Sequence, residues 1–235
     1  MTAPLRAAVF GASGAIGAAL LERLQRDPRY GDVTALSRRG EGHLHFDLAD
    51  EASIAAAAAA LAEGGPLDLV FVATGVLQEP GKPGPEKALR ALDPSALAHQ
   101  FAVNAIGPAL IAKHLFPLLP RDRRAVFAAL SARVGSIGDN ALGGWHGYRA
   151  AKAALNMLLR NAALELKRSH PLAVVAALHP GTVDSALSRP FQRGLRPGQL
   201  TTPELAADRL LAVLDGLTPD DSGFLYDYTG TRLPF

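Results

Sequence analysis

Tyr148 and Lys152 stand four residues apart in the run YRAAK, at the head of a helical pattern that continues through Leu155, Leu158, Leu159 and Ala162. That spacing puts both side chains on one helix face, one turn apart. An ammonium so close favours a phenolate and lowers a tyrosine pKa normally near ~10, as proton transfer at neutral pH requires. A second constellation lies near the start of the chain, where a short apolar run leads into GASGAIG and then an amphipathic helix. Glycine lets the backbone approach a pyrophosphate, and the helix N-terminus offers free N–H groups and the positive end of its dipole. Gly11, Ser13, Gly14, Ala15, Ile16 and Gly17 are therefore candidate nucleotide contacts.

About 20 residues beyond such a turn, an acid would bond the ribose hydroxyls of NAD and repel a phosphate. Here the second strand ends in Ser37, Arg38 and Arg39, a hydroxyl and two cations suited to a 2′-phosphate. NADP(H) is thus expected in preference to NAD(H).

These groups need a scaffold, and the chain describes one. Short apolar runs at Ala7–Phe10, Val33–Ser37, Leu69–Ala73, Ala125–Leu130 and Ala173–Leu178 alternate with longer helical patterns. A weaker run covers His43–Phe46, and Gly223–Tyr228 reads as an edge strand. This predicts an α/β doubly wound Rossmann fold, a mostly parallel sheet of about seven strands with helices on both faces, as a single domain over residues 1–235. Asp93 before Pro94 marks a helix start, and Ala55–Ala60 is a strong helix former. Pro108 has no N–H for the carbonyl of Asn104 four residues earlier, which predicts a kink there. Gln78–Pro85 and Ser185–Gly198 read as loops, the second placed to cover a substrate.

Composition narrows the alternatives. With 235 residues, 49% apolar and 20% charged, the chain has the usage of an ordinary globular protein. A net charge of +2 is too small to imply nucleic acid. The absence of cysteine removes disulfides and thiol nucleophiles. The N-terminus lacks the h-region of a signal peptide, and Phe101–Leu119 is interrupted by Asn104, Pro108, Lys113, His114 and Pro117. A cytoplasmic protein with no membrane partner is expected. His43 and His45 could share a strand face, but no third metal ligand follows at suitable spacing, so no metal is expected.

Taken with Asp47 and Leu48, VNAIGP around Asn104, Ser131 at a strand end, and PGTVDS from Pro180, these motifs make the chain resemble the short-chain dehydrogenase/reductase family over nearly its whole length. LSARVGSIGDN ahead of YRAAKAALNM resembles the bacterial branch that contains the C-factor morphogenesis protein and carbonyl-reductase-like members. The resemblance implies interconversion of an aldehyde or ketone with an alcohol by hydride transfer, with Tyr148 exchanging the proton and Lys152 bonding the nicotinamide ribose. It implies a water held by the Asn104 carbonyl, a serine hydroxyl on the substrate oxygen, and Pro180, Gly181 and Val183 against the nicotinamide. It also implies a homodimer or homotetramer through the Asn104 and Tyr148 helices.

The chain departs from that pattern in three places. The fourth strand ends VATG, so Ala73 and Thr74 replace family asparagines before Gly75, and Ala15 stands where this branch usually has glycine. The family serine is followed by two residues and a glycine, a frame that puts Ala132 in its place; Ser131 is the nearest hydroxyl if the register shifts by one, with Ser136 in reserve. An alternative reading is therefore an NADP(H)-binding signalling protein with little turnover. A nucleotide-sugar epimerase would suit the glycine spacing but needs more chain after Ser185.

Overall fold

Strands that are apolar on both sides need cover on both faces, and the computed structural model, which describes residues 3–78 and 84–235, supplies it. The elements are β1 (Leu5–Phe10), α1 (Ala15–Arg26), β2 (Tyr30–Ser37), β3 (Leu44–His45), α2 (Glu51–Ala62), β4 (Leu69–Val72), α3 (Pro94–Phe101) and α4 (Gly107–Leu115), then β5 (Ala125–Leu130), α5 (His146–Leu166), β6 (Ala173–His179), β7 (Thr182–Val183), β8 (Leu200–Thr201), α6 (Pro203–Gly216), β9 (Phe224–Asp227) and β10 (Arg232–Leu233).

The main sheet runs β10-β9-β6-β5-β4-β1-β2-β3, parallel throughout except for β10 against β9. Successive strand residues alternate between its faces. Ala8, Phe10, Val70, Phe127 and Val175 pack under α2, α4 and α5, with Ile54, Ile111 and Leu155. Ala7, Val9, Phe71, Val126 and Val174 pack under α1 and α6, with Leu20, Leu24 and Leu210. Truncating a fully buried member such as Leu155 to alanine is expected to cost about 2–5 kcal/mol.

Two expectations are revised. The sheet has eight strands rather than about seven, because Arg232–Leu233 adds β10; β9 consequently lies between β6 and β10 and is not an edge. β7 and β8 form a separate small pair. Strand ends also shift: β2 starts at Tyr30, β4 stops at Val72, and β6 reaches His179.

The regular hydrogen bonding of the Asn104 helix is interrupted just before Pro108. A π turn, Ala102–Ile106, separates α3 from α4, and Gly107 N–H reaches back to Ala102 O. Such turns often mark functional sites. Asp93 caps α3 through the N–H of Ala96. The stretch Pro94–Leu118 is long and apolar enough to cross a membrane by length and composition alone. Its Ile111, Ala112 and Leu115 are buried against the sheet, which accounts for that apolar face.

The chain builds β1 to β3 outward on one side, then returns with β4 to the other side of β1. That reversal opens a crevice at the carboxyl ends of β1 and β4, where ligands of such sheets bind.

Candidate active site

At the crevice the glycine turn is sterically committed. Gly11 has a φ of +84°, and a Cβ on it would lie 3.0 Å from Thr74 Cγ2 and 3.1 Å from the backbone of Ala73. A Cβ on Gly17 would lie 2.2 Å from Gly11 O, so α1 meets the turn at backbone contact. Gly14 is the residue before α1 and offers no side-chain cap, and no acid occupies the first turn. The first amides of α1 are left without intrahelical acceptors. Ala15 and Ile16 border a cavity of about 790 Å³ that continues past Ala73, Thr74 and Gly75 to Lys152, Tyr148, Pro180, Gly181 and Val183. Thr74 Oγ1, buried on that wall, has no hydrogen-bond partner. A backbone cradle that no Cβ could enter, uncapped amides and an orphan hydroxyl fit a dinucleotide.

The other predicted nucleotide residues lie off this cavity. Ser37 is buried at the end of β2, and its hydroxyl shares a 2.9 Å hydrogen bond with His43 Nδ1. Arg38 and Arg39 are exposed beyond it and make no ion pair among the described residues. Asp47 Oδ1 accepts from Ala49 N at 3.0 Å, and Leu48 fills the space over Gly107, where a Cβ would come within 2.6 Å of it. Ser13 is exposed beside the turn.

The long helix α5 carries the reacting groups. Its entry is unusual: Trp145 has a φ of +51°, the one positive value at a described residue other than glycine. Glu86 holds this entry, its carbonyl accepting from Trp145 N and its carboxylate from Gly147 N at 3.2 Å. Tyr148 and Lys152 then project from one face, with Lys152 Nζ 5.8 Å from the centre of the Tyr148 ring. Lys152 is 2% exposed and donates to Leu130 O at 2.8 Å. Burial pushes Tyr148 up to about 12 and Lys152 down to about 7. The expected lowering of the tyrosine by the lysine is thus outweighed: taking either charge out of water costs more than their separation returns.

Asn104 is fully buried in the π turn. Its amide donates to Val76 O and Gln100 Oε1, both at 2.7 Å, and its Oδ1 accepts from Val76 N at 3.1 Å. A Cβ on Gly75 would sit 3.3 Å from Asn104 Oδ1 and 3.6 Å from Lys152 Nζ. The glycine therefore lets the end of β4 lie over both groups. The Asn104 side chain and Lys152 Nζ both lie against Gly75, and the Asn104 side-chain amide is committed to holding the Val76 backbone.

The serine expectation is corrected. Ser131 borders the cavity, but its Oγ donates to Asn156 Oδ1 at 2.7 Å, and its N–H stays in the sheet on Leu178 O at 2.8 Å. The residue packed with Tyr148 is Ala132, in a small buried cluster with Leu77. Ser136 is buried off the cavity and accepts from Asp139 N. The one-residue shift that would have presented Ser131 is blocked by Gly135, where a Cβ would lie 2.7 Å from Lys152 Cβ. Only glycine passes α5 there, which fixes the loop frame.

Val134, Trp145 and Phe191 complete an apolar wall beside Tyr148, with Trp145 and Phe191 rings 5.2 Å apart. Phe191 comes from the Ser185–Gly198 loop, which covers the cavity as its position suggested. The other loop, Gln78–Pro85, lies largely outside the described residues.

Sequence reasoning missed Asn156, Phe191, Glu86 and His179. Asn156 stands four residues after Lys152 on the same face, a signal that was available. His179, partly buried beside Pro180 on the cavity wall, has a buried Nδ1 with no hydrogen-bond partner among the described residues, and desolvation lowers its pKa to about 4. Among the described residues no cluster of three metal-ligating side chains occurs.

A family profile described as enoyl-(acyl carrier protein) reductase matches residues 13–199. The 1-hydroxy-2-glutathionyl-2-methyl-3-butene dehydrogenase of Rhodococcus sp. (strain AD45) is 36% identical over 80% of this chain and 77% of its own length. The C-signal protein of Myxococcus xanthus is 33% identical over 73% of this chain and 94% of its own. Among solved structures, an NADPH-bound carbonyl reductase from chicken fatty liver superposes over the full length of both chains with a TM-score of 0.85 at 23% identity.

Proposed function

Since the chain belongs to the short-chain dehydrogenase/reductase family of oxidoreductases, we propose that it interconverts a carbonyl and an alcohol with NADP(H), in one Rossmann domain spanning residues 1–235. The observation that carries this reading is that one cavity joins the glycine cradle at one end to Tyr148 and Lys152 at the other. The nicotinamide, when bound, supplies or accepts the hydride. Everything else falls to the chain's own groups. The N-terminal amides of α1 and Thr74 would hold the phosphates and ribose, with Pro180, Gly181 and Val183 on the nicotinamide side. Ser37, Arg38 and Arg39 would meet the 2′-phosphate, with Asp47 and Leu48 near the base.

In reduction Tyr148 gives its proton to the carbonyl oxygen, and in oxidation its phenolate takes one from the alcohol. Burial keeps the hydroxyl protonated at neutral pH, so it stands ready as an acid. Lys152 would bond the nicotinamide ribose, and Asn104 holds the Val76 backbone beside it. The Phe191 loop and Trp145 exclude water from the reacting face. Exposed Ile106, Met157 and Leu164 on the π turn and α5 support a homodimer or homotetramer. We place the protein in the cytoplasm.

The likeness to C-signal favours a second reading, an NADP(H)-binding signalling protein with little turnover. Oxidation of NADPH and NADH by purified protein, across aldehydes, ketones and quinones, separates the two. Tyrosine-dependent turnover supports the reductase; NADPH binding with no turnover on the panel supports signalling.

A further inference from the structure

We infer that the substrate oxygen in this site is held by the Tyr148 hydroxyl without a partnering serine, and that the pocket is consequently specialised for flat carbonyls already activated by conjugation or electron withdrawal. This rests on the reductase reading above.

The argument is steric before it is chemical. Ala132 lies in extended backbone, φ −150° and ψ 147°, directly after Ser131. Adjacent extended residues point to opposite faces, so a loop that aims Ala132 at Tyr148 must aim Ser131 away. It does: Ser131 is bonded to Asn156, and Asn156 Nδ2 reaches Gly135 O at 3.4 Å, tying the loop to α5. Gly135 against Lys152 prevents the frame from slipping. The Ala132 methyl, and not the Ser131 hydroxyl, therefore packs with Tyr148.

Of the other polar groups on the wall, Arg133 is paired with Asp139 at 2.6 Å, and Ser185 and Ser188 are tied to Val183 O. Thr74 Oγ1 and His179 Nδ1 have no partner among the described residues, the first next to Gly75 and the second next to Pro180. Leu77, Val134, Trp145 and Phe191 make the remaining surface apolar. Trp145 and Phe191, packed on each other at 5.2 Å, put aromatic side chains on that wall, against which an aryl substituent can pack edge-to-face or offset.

In reduction the carbonyl carbon receives a hydride from the reduced nicotinamide, the π pair moves to oxygen, and oxygen takes the Tyr148 proton. Removing one of two donors from a developing oxyanion typically costs ~10²–10³-fold in rate. With one donor the substrate must itself delocalise more of the charge. Aryl carbonyls bearing electron-withdrawing groups and conjugated dicarbonyls meet that condition; simple alkyl ketones do not.

The test is a series of para-substituted acetophenones with NADPH, comparing the wild type with Ala132→Ser. We expect kcat/KM of the wild type to rise steeply with electron withdrawal. Ala132→Ser should speed the unsubstituted ketone by about ten-fold or more and the nitro derivative by less than about three-fold, flattening the slope. Equal acceleration of every member, no acceleration, or a wild-type slope already as flat as the variant's overturns the inference. Should Ala132→Ser fail to fold, Ser131→Ala decides. A loss below about ten-fold at unchanged slope supports the inference, and a loss of a hundred-fold with a steeper slope overturns it. A wild type inert on the whole series, the nitro derivative included, beside an active Ala132→Ser overturns the specialisation for activated carbonyls. Both inert removes the reductase reading and this inference together.

Discussion

Lys152 Nζ donates to the carbonyl of Leu130 at 2.8 Å, which anchors the lysine to the end of β5 while its ammonium stays 5.8 Å from the centre of the Tyr148 ring. Tyrosine is held up to about 12 and lysine down to about 7 by burial. Reduction uses the protonated tyrosine, present throughout the neutral range, whereas oxidation uses the phenolate, whose fraction grows ten-fold per pH unit below the pKa. Alcohol oxidation should therefore rise by nearly ten-fold per unit between about pH 7 and 9, while carbonyl reduction does not rise. Steady-state pH profiles in both directions check this; a flat oxidation limb would point to another base.

Gly17→Ala should destroy nucleotide binding. The added carbon would sit 2.2 Å from Gly11 O, a backbone atom that α1 and β1 hold from both sides. NADPH affinity by titration calorimetry is expected to fall by at least ~100-fold, with a stability loss of about 1–3 kcal/mol from overpacking. Retained affinity would mean that the cradle yields more than its geometry allows.

Arg38→Ala should weaken NADPH much more than NADH, because the guanidinium is exposed and has no ion-pair partner among the described residues, beyond Ser37, where a 2′-phosphate would lie. A charge-assisted contact of this kind contributes about 1.5–3 kcal/mol, so the ratio of the two affinities should shift by ~10–100-fold. An equal fall for both cofactors would assign the arginine a different role.

His179 predicts an acid-sensitive fold. Its pKa is lowered by burial from 6.5 to about 4, so the unfolded chain takes up a proton below pH 6.5 that the folded chain refuses until about pH 4. Stability is fully present above pH 6.5 and falls as pH drops through that window. His179→Gln should flatten the fall in Tm between pH 6.5 and 4.5, measured by thermal denaturation; an unchanged fall would implicate other groups.

Much of the fold was legible in the sequence because periodicity reports burial directly: runs such as AVFAAL had to be covered on both faces, and they are. Short elements were not, since Arg232–Leu233 and Thr182–Val183 carry no periodic signal and form by pairing with a strand already in place. In the site, the Tyr148–Lys152 face and the glycine turn were readable because spacing on a helix and backbone contact at a turn are local constraints. The serine was misjudged because the direction of Ser131 depends on Gly135 passing Lys152, a contact between two elements that no local pattern reports. The sign of the Tyr148 shift was misjudged for a similar reason. Proximity is local, whereas the burial that outweighs it comes from Leu77, Ala132 and the Phe191 loop.

The central claim is that Tyr148 moves the proton in an NADPH-dependent carbonyl reduction. It is tested most directly by measuring NADPH oxidation with an activated aryl ketone for the wild type and Tyr148→Phe, alongside NADPH affinity for both. The account predicts turnover in the wild type, a loss of ~10²–10⁴-fold in the variant, and affinities within a few-fold of each other. Undiminished turnover in Tyr148→Phe with intact NADPH binding would contradict it.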